Sequence, residues 1–202
     1  MKFYLRTMRG IIFLMSFFLL MSCKPKTHYE NPHIAIQTKY GDIEIELLPK
    51  QAPKTVAAFL SYVDSGFYFN SSFYRALNME NQPSNAPKTE LIQGGIWKTN
   101  YKKASTIKGI DHESTELTKI KHTEGVISLA RAKPGTAGTE FFIVIGNQPG
   151  LDYGGENCED RQGYAAFGRV VKGLNLVFKI SGQKLNGQYI SPQVDIFNIV
   201  RL

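Results

Sequence analysis

The chain has 202 residues, 43% apolar and 20% charged, with 13 Phe, 10 Tyr and one Trp. This is the composition of one folded domain and it excludes intrinsic disorder. Two cysteines, and four histidines with no ligand-like spacing, exclude a disulfide-rich scaffold and a thiolate zinc site, so neither metal nor cofactor is expected.

At the N-terminus, Lys2, Arg6 and Arg9 precede an apolar run from Ile11 to Leu20 that is interrupted only by Ser16. That is the pattern of a secretory signal, too short to span a bilayer, which takes roughly 20 apolar residues. Leu20-Met21-Ser22-Cys23 resembles the lipobox of bacterial lipoproteins, which implies cleavage before Cys23 and lipidation of its thiol. Residues 1–22 then form a lipoprotein signal peptide and residues 23–32 a lipidated tether reaching about 30 Å from the membrane. The alternative is an ordinary Cys23 bridged to Cys158 in an oxidising compartment. Residues 1–22 carry three basic and no acidic side chains, so their loss lowers the net charge from +7 to +4. That excess is too mild for dedicated nucleic-acid binding.

From His33 the sequence alternates: Ile34, Ile36 and Thr38, a turn at Tyr40-Gly41-Asp42, then Ile43, Ile45 and Leu47 against Glu44 and Glu46, which predicts a β-hairpin. Pro53 is pre-set for a first helical turn, and Val56, Phe59, Leu60 and Val63 follow at helical spacing up to the stop at Gly66. Phe73 to Leu77 reads as a strand, Met79 to Glu90 as a polar loop with Pro83 and Pro87, and Leu91 to Gly95 as apolar again. Lys98 to His122 has no period and is expected to be mostly loop. Short β-rich runs follow at Val126–Ala130, Glu140–Ile145, Ala165–Val171 and Val194–Val200, with a second helix over Leu174–Ile180. Many short strands and few helices predict a closed antiparallel barrel or a sandwich.

No GxSxG elbow, P-loop or GxGxxG is present, so the common hydrolase and nucleotide chemistries have no support. The lysines between Lys98 and Lys121 lack interleaved aromatics beyond Tyr101 and read as a solvated loop. Cys158 lies among Glu156, Glu159 and Asp160, neighbours that suppress a nucleophilic thiolate.

Several segments in order resemble the cyclophilin family of peptidyl-prolyl cis/trans isomerases: Ala52 to Leu60, Gly66-Phe67-Tyr68, Phe73-Tyr74-Arg75, Leu91-Ile92-Gln93-Gly94-Gly95, Gly125 to Ala132, Thr139 to Ile143, and Ala166 to Gly173. The resemblance covers His33 to the C-terminus and implies a mainly β fold: an eight-stranded antiparallel barrel capped by two helices, with a peptide groove outside. Alternation in Glu140-Phe141-Phe142 places Phe141 in the core and Glu140 and Phe142 on the groove face.

By the same resemblance Arg75 and Gln93 are the catalytic pair. Leu91, Phe142, Leu151 and Tyr164 line the proline pocket, Ala130 and Arg131 contribute to substrate binding, the latter through its main chain, and Glu140 faces the substrate. The partners are proline-containing polypeptides and, through Cys23, a membrane; a monomer at the bacterial cell envelope is expected, assisting the folding of exported proteins. Three departures fall near the groove: Glu90 before Leu91 and Gly150 before Leu151, where the family has aromatic residues, and Glu140 in place of Gln. Glu140 is in position to pair with Arg75 and orient or neutralise it, and the long Met79–Glu90 segment is an insertion beside the groove. These departures leave a catalytically weak, peptide-binding or chaperone-like barrel as the alternative.

Overall fold

The computed structural model describes residues 29–202, so the expected signal peptide, Cys23 and most of the tether lie outside the described residues. The strands are β1 (His33–Thr38), β2 (Gly41–Leu47), β3 (Ser71–Leu77), β4 (Leu91–Gly95), β5 (Val126–Leu129), β6 (Phe141–Val144), β7 (Ala165–Lys172), β8 (Leu185–Asn186) and β9 (Tyr189–Arg201). They pair antiparallel in the order β1-β2-β7-β5-β6-β4-β3-β9, and β9 returns to β1. Eight strands therefore close a barrel without free edges, and β8 is a two-residue addition to β9.

Helix α1 (Pro53–Asp64) follows β2 and helix α4 (Leu174–Ser181) follows β7. These two strands are antiparallel neighbours, so the helices enter from opposite ends of the barrel. Val56, Phe59, Leu60 and Val63 of α1 and Val177 and Ile180 of α4 join the barrel core. The N-terminus of α1 has no side-chain cap of its own. The Glu113 carboxylate supplies one, accepting from the Thr55 N–H and hydroxyl, both at 2.7 Å, and from the Lys54 N–H at 3.2 Å.

The predicted hairpin, both helices and the strands after them appear where their periodicity places them. Residues 98–122 are mostly irregular, as expected, with two single-turn helices, α2 (Tyr101–Ala104) and α3 (Thr115–Thr118). The last strand begins at Tyr189 instead of Val194, because its first residues pair with β8 and with Arg75, partners too distant for local pattern to reveal.

Phe141 is fully buried and meets Phe59, Tyr68 and Phe73 edge-on at centroid distances of 6.0, 5.8 and 5.7 Å. Gly94 makes this cluster fit, since a Cβ there would stand 2.9 Å from the Phe73 ring and 3.3 Å from that of Phe141. Phe141→Ala is expected to cost about 3–5 kcal/mol in urea unfolding; a loss below about 1 kcal/mol would show that the core is not anchored there.

Candidate active site

Tyr189, Arg75, Gln93, Phe142, Ser128 and Ala166 are successive cross-strand partners on β9, β3, β4, β6, β5 and β7. Direct partners share a face of the sheet, and with Phe141 inside, Phe142 and its rung face outward. Opposite β4, a β-bulge interrupts β3 between Phe73 and Arg75, which face the adjacent Gly94 and Gln93; on the other flank the extra residues belong to β9, with Phe73 facing Val194 and Arg75 facing Tyr189. The extra residue, Tyr74, breaks the alternation, so that Tyr74 and Arg75 both line the groove while Phe73 stays in the core.

Outside the barrel, Leu77, Leu91, Phe142, Val144 and Leu151 form a second apolar cluster, packed by Ala130 and Tyr164. It floors a pocket of about 260 Å³, large enough for a pyrrolidine ring. Phe142 and Tyr164 meet edge-on at 5.2 Å. Behind Phe142 the His122 ring stacks at 6.0 Å, with Nδ1 at 2.8 Å from Asp152 Oδ1 and Nε2 at 2.8 Å from Ser128 Oγ. Burial works against it, yet hydrogen bonds from the His122 ring and backbone hold the Asp152 carboxyl below its ordinary range. His122 and Ser128 are fully buried, so this serine, histidine and aspartate brace the pocket floor and have no solvent access for nucleophilic chemistry.

The walls come from the inserted loop and from Asn157. Gln82, Pro87 and Thr89 of the inserted loop line the pocket together with Asn157. The loop is tied to itself, Gln82 Nε2 donating to the Asn78 and Thr89 carbonyls at 2.6 and 2.8 Å, and Asn157 Nδ2 donates to the Pro87 carbonyl at 3.1 Å. Asn157 occupies the space that Gly150 leaves open, where any Cβ would collide with its Oδ1. Carboxamides and a proline thus stand where the resemblance implies aromatic walls.

Arg75 lies between this pocket and a neighbouring groove of about 440 Å³. Its Nη1 donates to Gln93 Oε1 at 3.0 Å, and its Nε and Nη2 to Gln188 Oε1 at 3.0 and 2.6 Å. The expected Arg75–Glu140 ion pair is absent among the described residues. Glu140 turns instead to a backbone nest: Oε1 accepts from the Ile96 and Trp97 N–H groups at 2.9 and 3.0 Å and from Thr139 Oγ1 at 3.1 Å. Gly95, at φ +142°, permits this because a Cβ there would collide with the carboxylate. The other oxygen, Oε2, accepts from the Tyr74 hydroxyl at 2.8 Å, and Tyr74 Oη accepts from Gln93 Nε2 at 2.8 Å. Burial and the adjacent Glu140 charge raise the Tyr74 phenol, which therefore keeps its proton.

The Arg131 side chain is committed elsewhere, to a two-pronged pair with Asp160 at 2.7 and 2.8 Å and to the Gly163 carbonyl. This pair pushes the Asp160 carboxyl down to about 2. Arg131, two residues beyond the end of β5, also lines the pocket. The Cys158 thiol is raised, first by burial and also by Asp160, against Tyr164 and Arg131.

All the expected site residues except Cys23 meet here. Arg75, Gln93, Leu91, Ala130, Arg131, Phe142, Leu151 and Tyr164 line the pocket, and Glu140 lines the adjoining groove. Gln188, His122, Ser128, Asp152 and Asn157 carried no local signal, whereas the Met79–Glu90 insertion lies beside the groove as expected. Among the described residues no group of three or more His, Cys, Asp or Glu side chains could hold a metal ion.

Burial pushes the Glu140 carboxyl above its ordinary value of 4.5, outweighing its hydrogen bonds. A carboxyl raised on folding contributes most stability in acid and loses it as pH rises from about 4.5 through the elevated value. Glu140→Gln removes that slope. Measured by urea unfolding, the variant should gain stability relative to the parent between about pH 4 and pH 7; a constant difference, or one moving the other way, contradicts the assignment.

The sequence model for "Cyclophilin type peptidyl-prolyl cis-trans isomerase/CLD" matches residues 33–200. The chain is 33% identical over 150 residues to peptidyl-prolyl cis-trans isomerase B of Escherichia coli, which covers 74% of this chain and 84% of the relative. It is 32% identical over 152 residues to a peptidyl-prolyl cis-trans isomerase of Acinetobacter baylyi, covering 75% and 72%. The crystal structure of a Cryptosporidium parvum cyclophilin type isomerase, determined in the presence of the dipeptide Ala-Pro, superposes with a TM-score of 0.63 at 25% identity, covering 83% of this chain and 97% of that one. With its closed eight-stranded barrel and the groove residues gathered on one outer rung, the chain belongs to the cyclophilin-type peptidyl-prolyl cis-trans isomerase family.

Proposed function

We propose that this chain is a lipid-anchored peptidyl-prolyl cis/trans isomerase that speeds the folding of exported proteins at a bacterial cell envelope, with Arg75 and Gln93 as its catalytic pair. Isomerase activity is that of its family and of the relatives it matches. The observation that carries the site assignment is an Arg75 guanidinium fixed by carboxamide oxygens alone beside a proline-sized pocket with an apolar floor.

The amide before proline resists rotation by about 18–20 kcal/mol because nitrogen shares its lone pair with the carbonyl. Uncatalysed exchange takes tens to hundreds of seconds. As the bond twists, the prolyl nitrogen pyramidalises and its lone pair localises. A cationic N–H donor aimed at that lone pair binds the twisted state more tightly than either planar one. Among the described residues Arg75 has no carboxylate partner, so its charge is available to that lone pair. Phe142, Leu91 and Leu151 hold the ring, Tyr164 closes the side, and Gln93 and the main chain at Ala130 and Arg131 receive the peptide.

Arg75→Ala should lower kcat/KM on a short X-Pro peptide by about 100-fold or more, with circular dichroism unchanged. Retained turnover in a folded variant would remove Arg75 from the mechanism. The carboxamide walls at Asn157 and Gln82 favour a second reading, peptide binding with little turnover, and that outcome appears as binding of the peptide without acceleration in the parent.

The envelope location rests on the basic N-terminus, the Ile11–Leu20 run and Leu20-Met21-Ser22-Cys23. Residues 1–22 would be removed, residues 23–32 would tether, and residues 33–202 would act as a monomeric catalytic domain. Cells fed labelled palmitate should incorporate it into the parent and not into Cys23→Ser. An unlabelled parent rejects the lipoprotein assignment.

A further inference from the structure

Four hydrogen-bonding groups run in one line from the groove wall to the guanidinium: the Glu140 carboxylate, the Tyr74 hydroxyl, the Gln93 carboxamide and Arg75. An ionised carboxylate only accepts, and a guanidinium only donates. With both ends of fixed polarity, each link has one permitted direction. Tyr74 must spend its single proton on Glu140. Its oxygen is then left to accept from the Gln93 NH₂ group, and the Gln93 carbonyl is turned toward Arg75. We propose that Glu140 and Tyr74 are positioning residues for the isomerase reaction, setting the direction of this relay so that Gln93 presents its oxygen to Arg75 and holds the guanidinium ready. The proposal deepens the isomerase reading and rests on its assignment of Arg75.

The carboxylate is built in. Its first oxygen is held by three donors, two of them backbone N–H groups that Gly95 exposes, so Glu140 cannot swing to Arg75 without abandoning them. Tyr74 is fixed as the bulge residue of β3. The groove residue that looked placed to quench the catalytic charge is therefore linked to it through two neutral groups, which pass on orientation without an ion pair.

Replacing Glu140 by Gln tests the direction while keeping the shape. The carboxamide oxygen can stay on the Ile96 and Trp97 N–H groups, which leaves its NH₂ facing Tyr74. Tyr74 must then accept from residue 140 and donate to Gln93, turning the Gln93 NH₂ toward Arg75, where two donors meet. The side-chain amide signals of Gln93 and the Arg75 Nε–H signal, followed by ¹⁵N NMR in the full domain, should both shift in Glu140→Gln. Its kcat should fall by about tenfold or more with KM within about twofold, the size expected for losing one hydrogen bond to a charged group. Tyr74→Phe should do likewise, and the double variant should be no worse than either single one, because one relay is broken only once.

Unchanged Gln93 and Arg75 signals in Glu140→Gln, or losses that multiply in the double variant, overturn the proposal. Should Tyr74→Phe fail to fold, the Glu140→Gln spectra decide alone. A parent without isomerase activity would overturn the functional reading only, since the spectra report the hydrogen bonds and not turnover.

Discussion

The Arg75 guanidinium is held from two sides by carboxamide oxygens, Gln93 at 3.0 Å and Gln188 at 2.6–3.0 Å, and the form of the whole groove follows from that constraint. A carboxylate in either place would hold the side chain as firmly but would neutralise the charge that the proposed mechanism offers to a pyramidal prolyl nitrogen. Neutral acceptors fix geometry at little electrostatic cost. The sheet then has to bring two glutamines to one arginine from different strands. It does so by pairing Arg75 with Gln93 across β3–β4 and by placing Gln188 just before the start of β9, where its carbonyl accepts from the Ala76 N–H beside Arg75.

The pocket beside Arg75 shows how a barrel gains a binding site on its outer face. Phe141 and Phe142 are adjacent in sequence, yet one anchors the core and the other floors the pocket. Outward apolar side chains are costly unless covered. Here Tyr164, Leu151 and the inserted loop cover them from the sides, and His122, locked to Asp152 and Ser128, supports Phe142 from behind. What stays uncovered is a recess with a rigid floor and polar rims, so a proline ring can enter without the protein having to order itself first.

Much of this was legible in the sequence, and the failures share one cause. The β1–β2 hairpin, whose turn falls at Lys39-Tyr40 with Gly41 and Asp42 already in β2, helix α1 and the split between Phe141 and Phe142 follow from periods of two and 3.6 residues, which are local. The ordered motifs brought Arg75, Gln93, Leu91, Phe142, Leu151 and Tyr164 to one place. The bulge at Tyr74 was not legible, because one inserted residue leaves no trace in the pattern. Neither were Gln188, 113 residues from Arg75 in sequence, nor Asn157 against Pro87, 70 residues apart. Glu140 was misjudged as a partner for Arg75 because the competing donors, two backbone N–H groups beyond Gly95, belong to no side chain. Tyr74, within one of the resembling segments, and Glu140, a departure from the residue the resemblance implies, bond to each other, a coupling visible only once the strands are paired.

The most direct measurement is two-dimensional exchange NMR on an Ala-X-Pro-Phe peptide with a few per cent of the domain added. The account predicts exchange peaks between the cis and trans forms at mixing times under about 1 s, far shorter than the tens of seconds the free peptide needs. Peptide signals that shift on binding and yet show no cis–trans exchange would contradict it.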